Sequence, residues 1–94
     1  MAVDHYTMTA TTTPQILITV PGAGRRKVYI ENRSTTIAVY VGDATVSSSD
    51  GYQLTAQAAT GVSNRAEFEL FGGDVLWIAS ASATAVVTVL IPGV

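Results

Sequence analysis

Two aspartates and three consecutive serines lie close together in residues 40–54, which read YVGDATVSSSDGYQL. Asp43 and Asp50 could bind a calcium ion, because this ion prefers carboxylate and carbonyl oxygens as ligands. Their spacing does not match the EF-hand loop, in which alternating acidic residues precede a fixed glutamate. The pattern therefore leaves a calcium site open but does not specify one.

The same residues also predict a tight corner between two strands. Gly42 ends a strand and lets the backbone bend, and Asp43 is suited to cap the next turn by accepting a backbone N–H. Asp50-Gly51 is a strong turn pair, in which the glycine adopts a positive φ. Val46 is expected to enter the core and anchor the corner. We favour this interpretation and predict no metal and no cofactor.

Few other residues could carry a reaction. The chain has no cysteine and a single histidine, His5, so a thiol nucleophile is excluded and a Ser–His–Asp triad would depend on that one residue. Glu67 and Glu69 alternate onto one strand face, and glycosidases use two carboxylates about 5–9.5 Å apart. No neighbouring pattern indicates a sugar cleft, and a solvated strand face explains both acids. The sequence thus predicts a protein that is not an enzyme.

Aromatic side chains offer a different kind of chemistry. Tyrosine rings can stack on sugars or bases, so a carbohydrate-binding module that uses Tyr40 or Tyr52 remains an alternative. Trp77 lies within the apolar segment VLWIA, residues 75–79. We expect it to pack in the core or at an interface.

Composition narrows the classes of partner. Charged residues form 13% of the 94-residue chain, about half the share in an ordinary soluble domain. Such a chain is expected to bury part of its surface in an assembly. The net charge of −2 argues against a nucleic-acid-binding face. No apolar stretch suits a membrane-spanning helix, and the N-terminus lacks the pattern of a signal peptide, so we expect no membrane contact and synthesis in the cytoplasm.

The elements that would position these residues are strands. Threonine, valine, isoleucine and tyrosine dominate, and turn signals recur at short intervals. They predict an all-β fold, a small antiparallel β-sandwich or a partly closed barrel of about seven or eight short strands. Residues 32–35 are expected to form a hairpin connection between the strands 27–32 and 37–42. Residues 75–79 and 85–91 are apolar on both faces, which predicts a central strand at 75–79 and a central or covered strand at 85–91.

The domain boundary is predicted after residue 14. Residues 1–14 are polar and rich in threonine and read as an extended N-terminal arm, and residues 15–94 form a single β domain. Arg25-Arg26-Lys27 is the one basic cluster, which could dock an acidic partner or could be a solvated turn or strand start. The candidate assembly contacts from the arm and this cluster are Val3, His5, Tyr6, Met8, Arg25, Arg26 and Lys27.

Two stretches resemble a known group of proteins. Residues 28–56, VYIENRSTTIAVYVGDATVSSSDGYQLTA, and residues 69–93, ELFGGDVLWIASASATAVVTVLIPG, resemble the small virion proteins of tailed bacteriophages that serve as head decoration or minor structural proteins. The resemblance covers about residues 27–93 and is a pattern of small and apolar residues. The positions that match look like scaffold positions: Gly42, Val46, Gly51, Tyr52, Leu54, Trp77 and Ala79.

The resemblance implies a compact β-fold attached to a capsid or tail surface. The leading hypothesis is a capsid decoration protein that binds the major capsid protein and copies of itself, as a homo-oligomer such as a trimer, on the virion surface. A tail or neck accessory protein with the same fold is the alternative within this class. Residues 1–26 lie outside the resemblance, where a contact specific to one partner is expected.

Overall fold

The structure is a computed structural model that describes residues 4–22, 24–57 and 64–92. These residues form eight strands. The strands are β1 (Asp4–Ala10), β2 (Gln15–Thr19), β3 (Arg25–Asn32), β4 (Val39–Gly42), β5 (Tyr52–Leu54), β6 (Arg65–Phe71), β7 (Val75–Ser80) and β8 (Ala85–Ile91). They form two antiparallel sheets. Sheet 1 has the order β1-β8-β3-β6, and sheet 2 has the order β2-β7-β4-β5.

One buried cluster joins the two sheets. Val28, Ile30 and Val89 enter it from sheet 1, and Val39 and Ile78 enter it from sheet 2; each of them is at most 1% exposed. Inward and outward residues alternate along these strands, because successive side chains of a strand point to opposite faces. The all-β prediction is therefore confirmed, and the architecture is the sandwich rather than the barrel.

The two strands that are apolar on both faces lie inside their sheets. β8 pairs with β1 and with β3, and β7 pairs with β2 and with β4. A central strand satisfies its backbone groups on both sides and can be apolar throughout. On β8, however, Val86 and Leu90 remain 42% and 39% exposed. The outer face of sheet 1 thus carries apolar side chains that nothing in the described chain covers.

The predicted hairpin at residues 32–35 is wrong. β3 belongs to sheet 1 and β4 belongs to sheet 2, so the segment between them carries the chain from one sheet to the other. The backbone of this segment is held by a side chain, since Asn32 Oδ1 accepts Ser34 N at 3.0 Å and Ser34 Oγ accepts Ile37 N at 3.0 Å. A hairpin would need hydrogen bonds between β3 and β4, and these two strands do not pair with each other.

Asn32 is the polar centre of this crossover and is fully buried. Its amide nitrogen donates to Ile37 O at 2.8 Å, Thr55 O at 3.0 Å and Leu54 O at 3.2 Å. The amide has two hydrogens for three carbonyl oxygens, so at least one hydrogen is shared between two of them. Its backbone N–H donates to Asn64 O at 2.8 Å. One residue therefore ties the end of β3 to the start of β4, the end of β5 and the start of β6.

The predicted N-terminal arm is largely a strand of the domain itself. Residues 4–10 form β1, which pairs with β8 from Asp4↔Ile91 to Ala10↔Ala85 without a break in register. Ala10 is fully buried, and Tyr6 OH donates to Leu17 O at 2.5 Å. Threonine-rich polar sequence suits an edge strand that is half exposed. Removing residues 1–14 would therefore strip a strand from sheet 1.

We expect Asn32→Asp to lower the free energy of unfolding by about 2–4 kcal/mol, because the aspartate loses the donors for buried carbonyls. Urea unfolding monitored by tryptophan fluorescence would measure the loss. Asn64→Asp is the matched control, since Asn64 is only half buried and its amide nitrogen donates to Asn32 O at the longer distance of 3.2 Å. Equal losses in the two variants would contradict the central role of Asn32.

Candidate assembly surface

Two rows of residues cross all four strands of sheet 1 on its outer face. Cross-strand pairing places one residue of each strand in each row. From β1 to β6, the first row is His5, Leu90, Tyr29 and Glu67. In the same order, the second row is Thr7, Thr88, Glu31 and Arg65. These eight residues are called the outer rows below.

All residues of the outer rows except Thr7 line an open depression of about 600 Å³. Tyr29 and Leu90 form its apolar centre, and each is 39% exposed. Carboxylates and a guanidinium lie on the β3 and β6 side, and His5 and threonines lie on the β1 and β8 side. An apolar centre with a polar rim is the usual layout of a protein–protein contact.

Tyr29 is held as a hydrogen-bond donor within the first row. Its hydroxyl bonds to the Glu67 side chain, and this bond, with desolvation and the negative charge of Glu67, raises the pKa of Tyr29. Lys27 Nζ lies 3.7 Å from the same carboxylate, at Oε2. The β3 and β6 side of the face is consequently an ordered polar network.

The basic cluster does not form a positive patch. Arg25 Nε lies 3.8 Å from Glu69 Oε2, and Lys27 pairs with Glu67. Arg26 alternates to the other face of β3, and its Nη1 donates to Arg25 O at 3.0 Å. Such exposed pairs contribute little to stability, but they balance the charge of the face. The acids with the spacing of a glycosidase pair are thus engaged with neighbouring cations.

The candidate contacts of the N-terminal segment divide between two faces. His5 is exposed and lies in the first outer row. Tyr6 and Met8 alternate inward and pack against the core cluster, so they stabilise the sandwich. Val3 lies outside the described residues.

The oxygen-rich segment after β4 is a corner. Asp43 Oδ1 accepts Thr45 N at 2.9 Å and Thr45 Oγ1 at 2.6 Å. The hydroxyl and then the backbone N–H of Thr45 lower the pKa of Asp43. Ser47 and Asp50 pair through both backbone groups, at 2.8 and 3.1 Å. Asp43 acts as a turn cap, as the sequence predicts.

Val46 anchors the corner against the two glycines. It is 3% exposed, and Gly51 has a φ of +147°. A Cβ on Gly51 would lie 2.5 Å from Val46 Cγ2 and 3.1 Å from Val41 O. Gly51 is therefore required both by its backbone conformation and by the close approach of Val46.

A small open cavity of about 310 Å³ lies beside this corner, lined by Asp43, Asp50 and Tyr52 among others. Tyr52 is 58% exposed, and its ring packs edge-on against Phe68 with centroids 5.5 Å apart. Within residues 4–22, 24–57 and 64–92, no three His, Cys, Asp or Glu side chains are close enough to hold a metal ion.

Trp77 lies on sheet 2, away from the outer rows. Pairing places it between Ile16 of β2 and Gly42 of β4, and its side chain is half buried. Trp77 is not part of the buried core cluster, and a role at an interface stays a prediction.

Sequence reasoning missed the centre of the candidate surface. Tyr29 and Leu90 lie on strands that are 53 residues or more apart in the chain, and only the ladders of β8 with β1 and β3 bring them together. One sequence feature could have indicated this surface: residues 85–91 are apolar on both faces, which predicts a central or covered strand.

Comparisons with protein families, with characterised proteins and with solved structures found no match to this chain. No helix long and apolar enough to cross a membrane occurs in the described part of the chain.

We expect Gly51→Ala to cost about 1–3 kcal/mol more stability than Gly73→Ala, because only the first substitution forces a side chain into packed atoms. Gly73 also has a positive φ, +91°, but an added Cβ there meets nothing within 4 Å. Thermal unfolding of both variants would measure the difference. The loss of stability in the double variant Gly51→Ala/Val46→Ala should be smaller than the sum of the losses in the two single variants. Full additivity would argue against the contact.

The Thr45–Asp43 cap should also make stability depend on pH. The folded state lowers the pKa of Asp43 below its ordinary value of 3.8. The cap therefore contributes fully above pH 3.8 and is lost as the pH falls through the lower folded-state pKa. Thr45→Val should unfold at a lower temperature than the wild type at neutral pH, and the two should converge once the pH falls below the folded-state pKa of Asp43. Thr36→Val, an exposed threonine outside the corner, should show no such convergence.

Proposed function

We propose that the protein is a non-enzymatic structural protein of a tailed-phage virion, which decorates the capsid and joins neighbouring major capsid protein subunits. The observation that carries the proposal is the apolar centre of the outer rows, Tyr29 and Leu90, left exposed on a central strand pair. The resemblance of residues 27–93 to small phage virion proteins supports the same role.

The surface suits binding by burial. A stable protein contact buries about 800 Å² on each partner, and a four-stranded outer face offers a broad, rigid platform for it. Because the face is part of a sheet, its backbone is already ordered and loses little freedom on binding, which lowers the entropic cost. Many copies that bridge neighbouring subunits would resist separation together, as in multivalent binding.

The charges of the face suit recognition. Arg25 and Lys27 on β3 lie beside Glu67 and Glu69 on β6, so a partner with a negative row next to a positive row would fit in one register. Charge patterns of this kind contribute specificity and association rate more than affinity. The apolar centre then supplies the affinity.

We expect Leu90→Lys to weaken binding to particles that lack the protein by roughly 10-fold or more, since it buries a charge at the centre of the contact. Binding would be measured by co-sedimentation with the particles. The side chain of Leu90 points outward, so the thermal midpoint should stay near that of the wild type. Thr35→Lys, on the exposed crossover loop, is the matched control and should bind as the wild type does.

Unchanged binding of Leu90→Lys would overturn the assignment of the contact to sheet 1. The number of copies in purified virions would test the placement. Hundreds of copies per particle would agree with decoration of the head, and a few or tens would favour a neck or tail protein instead.

A second candidate function follows from the cavity at the corner. Tyr52 presents an exposed ring beside Asp43 and Asp50, and sugar-binding sites combine an aromatic platform with polar hydrogen-bonding groups. A glycan array would test this candidate. Hits that vanish in Tyr52→Ala would favour it, and an array without hits would exclude it.

A further inference from the structure

The edges of the two sheets differ in how they are protected. An edge strand exposes backbone N–H and C=O groups that can pair with another chain, and proteins usually block such pairing with charges, bulges or short strands. Sheet 1 ends in β1 and β6, and sheet 2 ends in β2 and β5. The protection of each edge can therefore be compared directly.

Three of the four edges are protected. β6 carries Arg65, Glu67 and Glu69 at alternate positions. β2 has a break in register between Ile16 and Ile18, which bends an edge away from regular pairing. β5 has only three residues, too few for a stable new ladder.

β1 has none of these devices. It is seven residues long, and its register with β8 is unbroken from end to end. Residues 5–10 contain no charged residue and no proline. No strand lies on its other side in the ranges that the structure describes. A long, regular edge whose one acidic residue, Asp4, lies at its first position is a template for strand pairing.

We propose that β1 pairs with β1 of a second copy of this chain, antiparallel about a two-fold axis at Thr7, so that the two copies share one continuous eight-stranded sheet. The second copy is the occupant because the strand is complementary to itself. Thr7 is the midpoint of Asp4–Ala10, so this register pairs all seven residues, and any other axis pairs fewer.

The side chains fit this register on both faces. On the outer face, Thr7 lies opposite the Thr7 of the second copy, and threonine pairs across strands are favourable. On the inner face, Tyr6 lies opposite Met8, and methionine sulfur packs well against aromatic rings. His5 lies opposite Thr9. A two-fold contact of this kind is closed, because both free β1 edges are used.

Pairing also unites the uncharged parts of the two outer faces. On β1 and β8 the outward residues are His5, Thr7, Thr9, Val86, Thr88 and Leu90, none of which is an acid, a lysine or an arginine. In the dimer these strands meet at the centre, and the charged β3 and β6 strands lie at the outside. The inference does not depend on the virion role, since it concerns the isolated protein.

The oligomeric state is the first test. Sedimentation equilibrium, carried to the solubility limit, should show a monomer–dimer equilibrium for the wild type. Thr7→Lys places two ammonium groups opposite each other at the axis and should weaken the dimer by roughly 10-fold or more. Thr7 is exposed, so circular dichroism should show the fold unchanged. Thr35→Lys is the matched control and should dimerise as the wild type does.

Cysteine cross-linking tests the register. The chain has no cysteine, so an introduced one has no competitor. In the proposed dimer, two cysteines at position 7 face each other within the range of a disulfide, whose Cα atoms lie about 4.4–6.8 Å apart. Two cysteines at position 9 are four residues apart along the strands, roughly 14 Å. Mild oxidation should therefore link Thr7→Cys into dimers and leave Thr9→Cys unlinked.

Three results would overturn the proposal. The first is a wild type that stays monomeric at every concentration or forms trimers. The second is a dimer that Thr7→Lys leaves intact. The third is a dimer in which Thr7→Cys does not cross-link, or cross-links no faster than Thr9→Cys. A dimer without any Thr7→Cys cross-link would indicate that the copies exchange β1, since an exchanged β1 faces the partner's β8.

Discussion

The buried amide of Asn32 is the constraint on which the arrangement of the two sheets depends. At the end of β3 the chain leaves one sheet and enters the other. The carbonyls of Ile37, Leu54 and Thr55 meet at this crossover, and the Asn32 side chain donates to all three. Buried carbonyls are costly when unpaired, so a single polar side chain determines where the sandwich closes.

With the crossover in place, the two-residue period of each strand decides which side chains face the core. Ala85, Val87, Val89 and Ile91 of β8 turn inward and are buried, so the intervening residues must turn outward. Those outward residues include Val86 and Leu90, which lie at the middle of sheet 1. The outer face of sheet 1 is thus apolar at its centre because β8, which is apolar on both faces, is a central strand of a sheet whose outer face is exposed. Burial against a partner would remove this exposed area from water.

The oxygen-rich corner shows how residues with catalytic or metal-binding potential can be architectural. Asp43 is engaged by Thr45, and the serine segment closes on itself through Ser47 and Asp50. Val46 fills the space that Gly51 leaves open. The polar groups of this loop satisfy the loop itself, which lets a sharp bend lie directly over the core.

Much of this arrangement could be predicted from the sequence, because it depends on neighbours in the chain. The alternation in residues 27–32 and 65–71 indicates which side chains face inward, and Asp50-Gly51 with Val46 indicates the corner. For the candidate surface, the sequence predicts His5, Arg25 and Lys27 as contacts, and the structure places all three on the outer face of sheet 1. The sequence does not separate His5 from Tyr6 and Met8, because their faces depend on whether the N-terminal segment is an arm or a strand.

The sequence by itself determined the strands, their inward faces and the tight corner, since side-chain period and turn chemistry act over a few residues. Only the tertiary structure decided that β3 and β4 belong to different sheets, that residues 4–10 pair with the last strand, and that Tyr29 and Leu90 lie side by side. These features depend on ladders between segments far apart in the chain. The pattern of apolar residues in a strand shows which of its faces must be buried. Which other strand it pairs with depends on the packing of the whole core and on the hydrogen bonds of the Asn32 side chain.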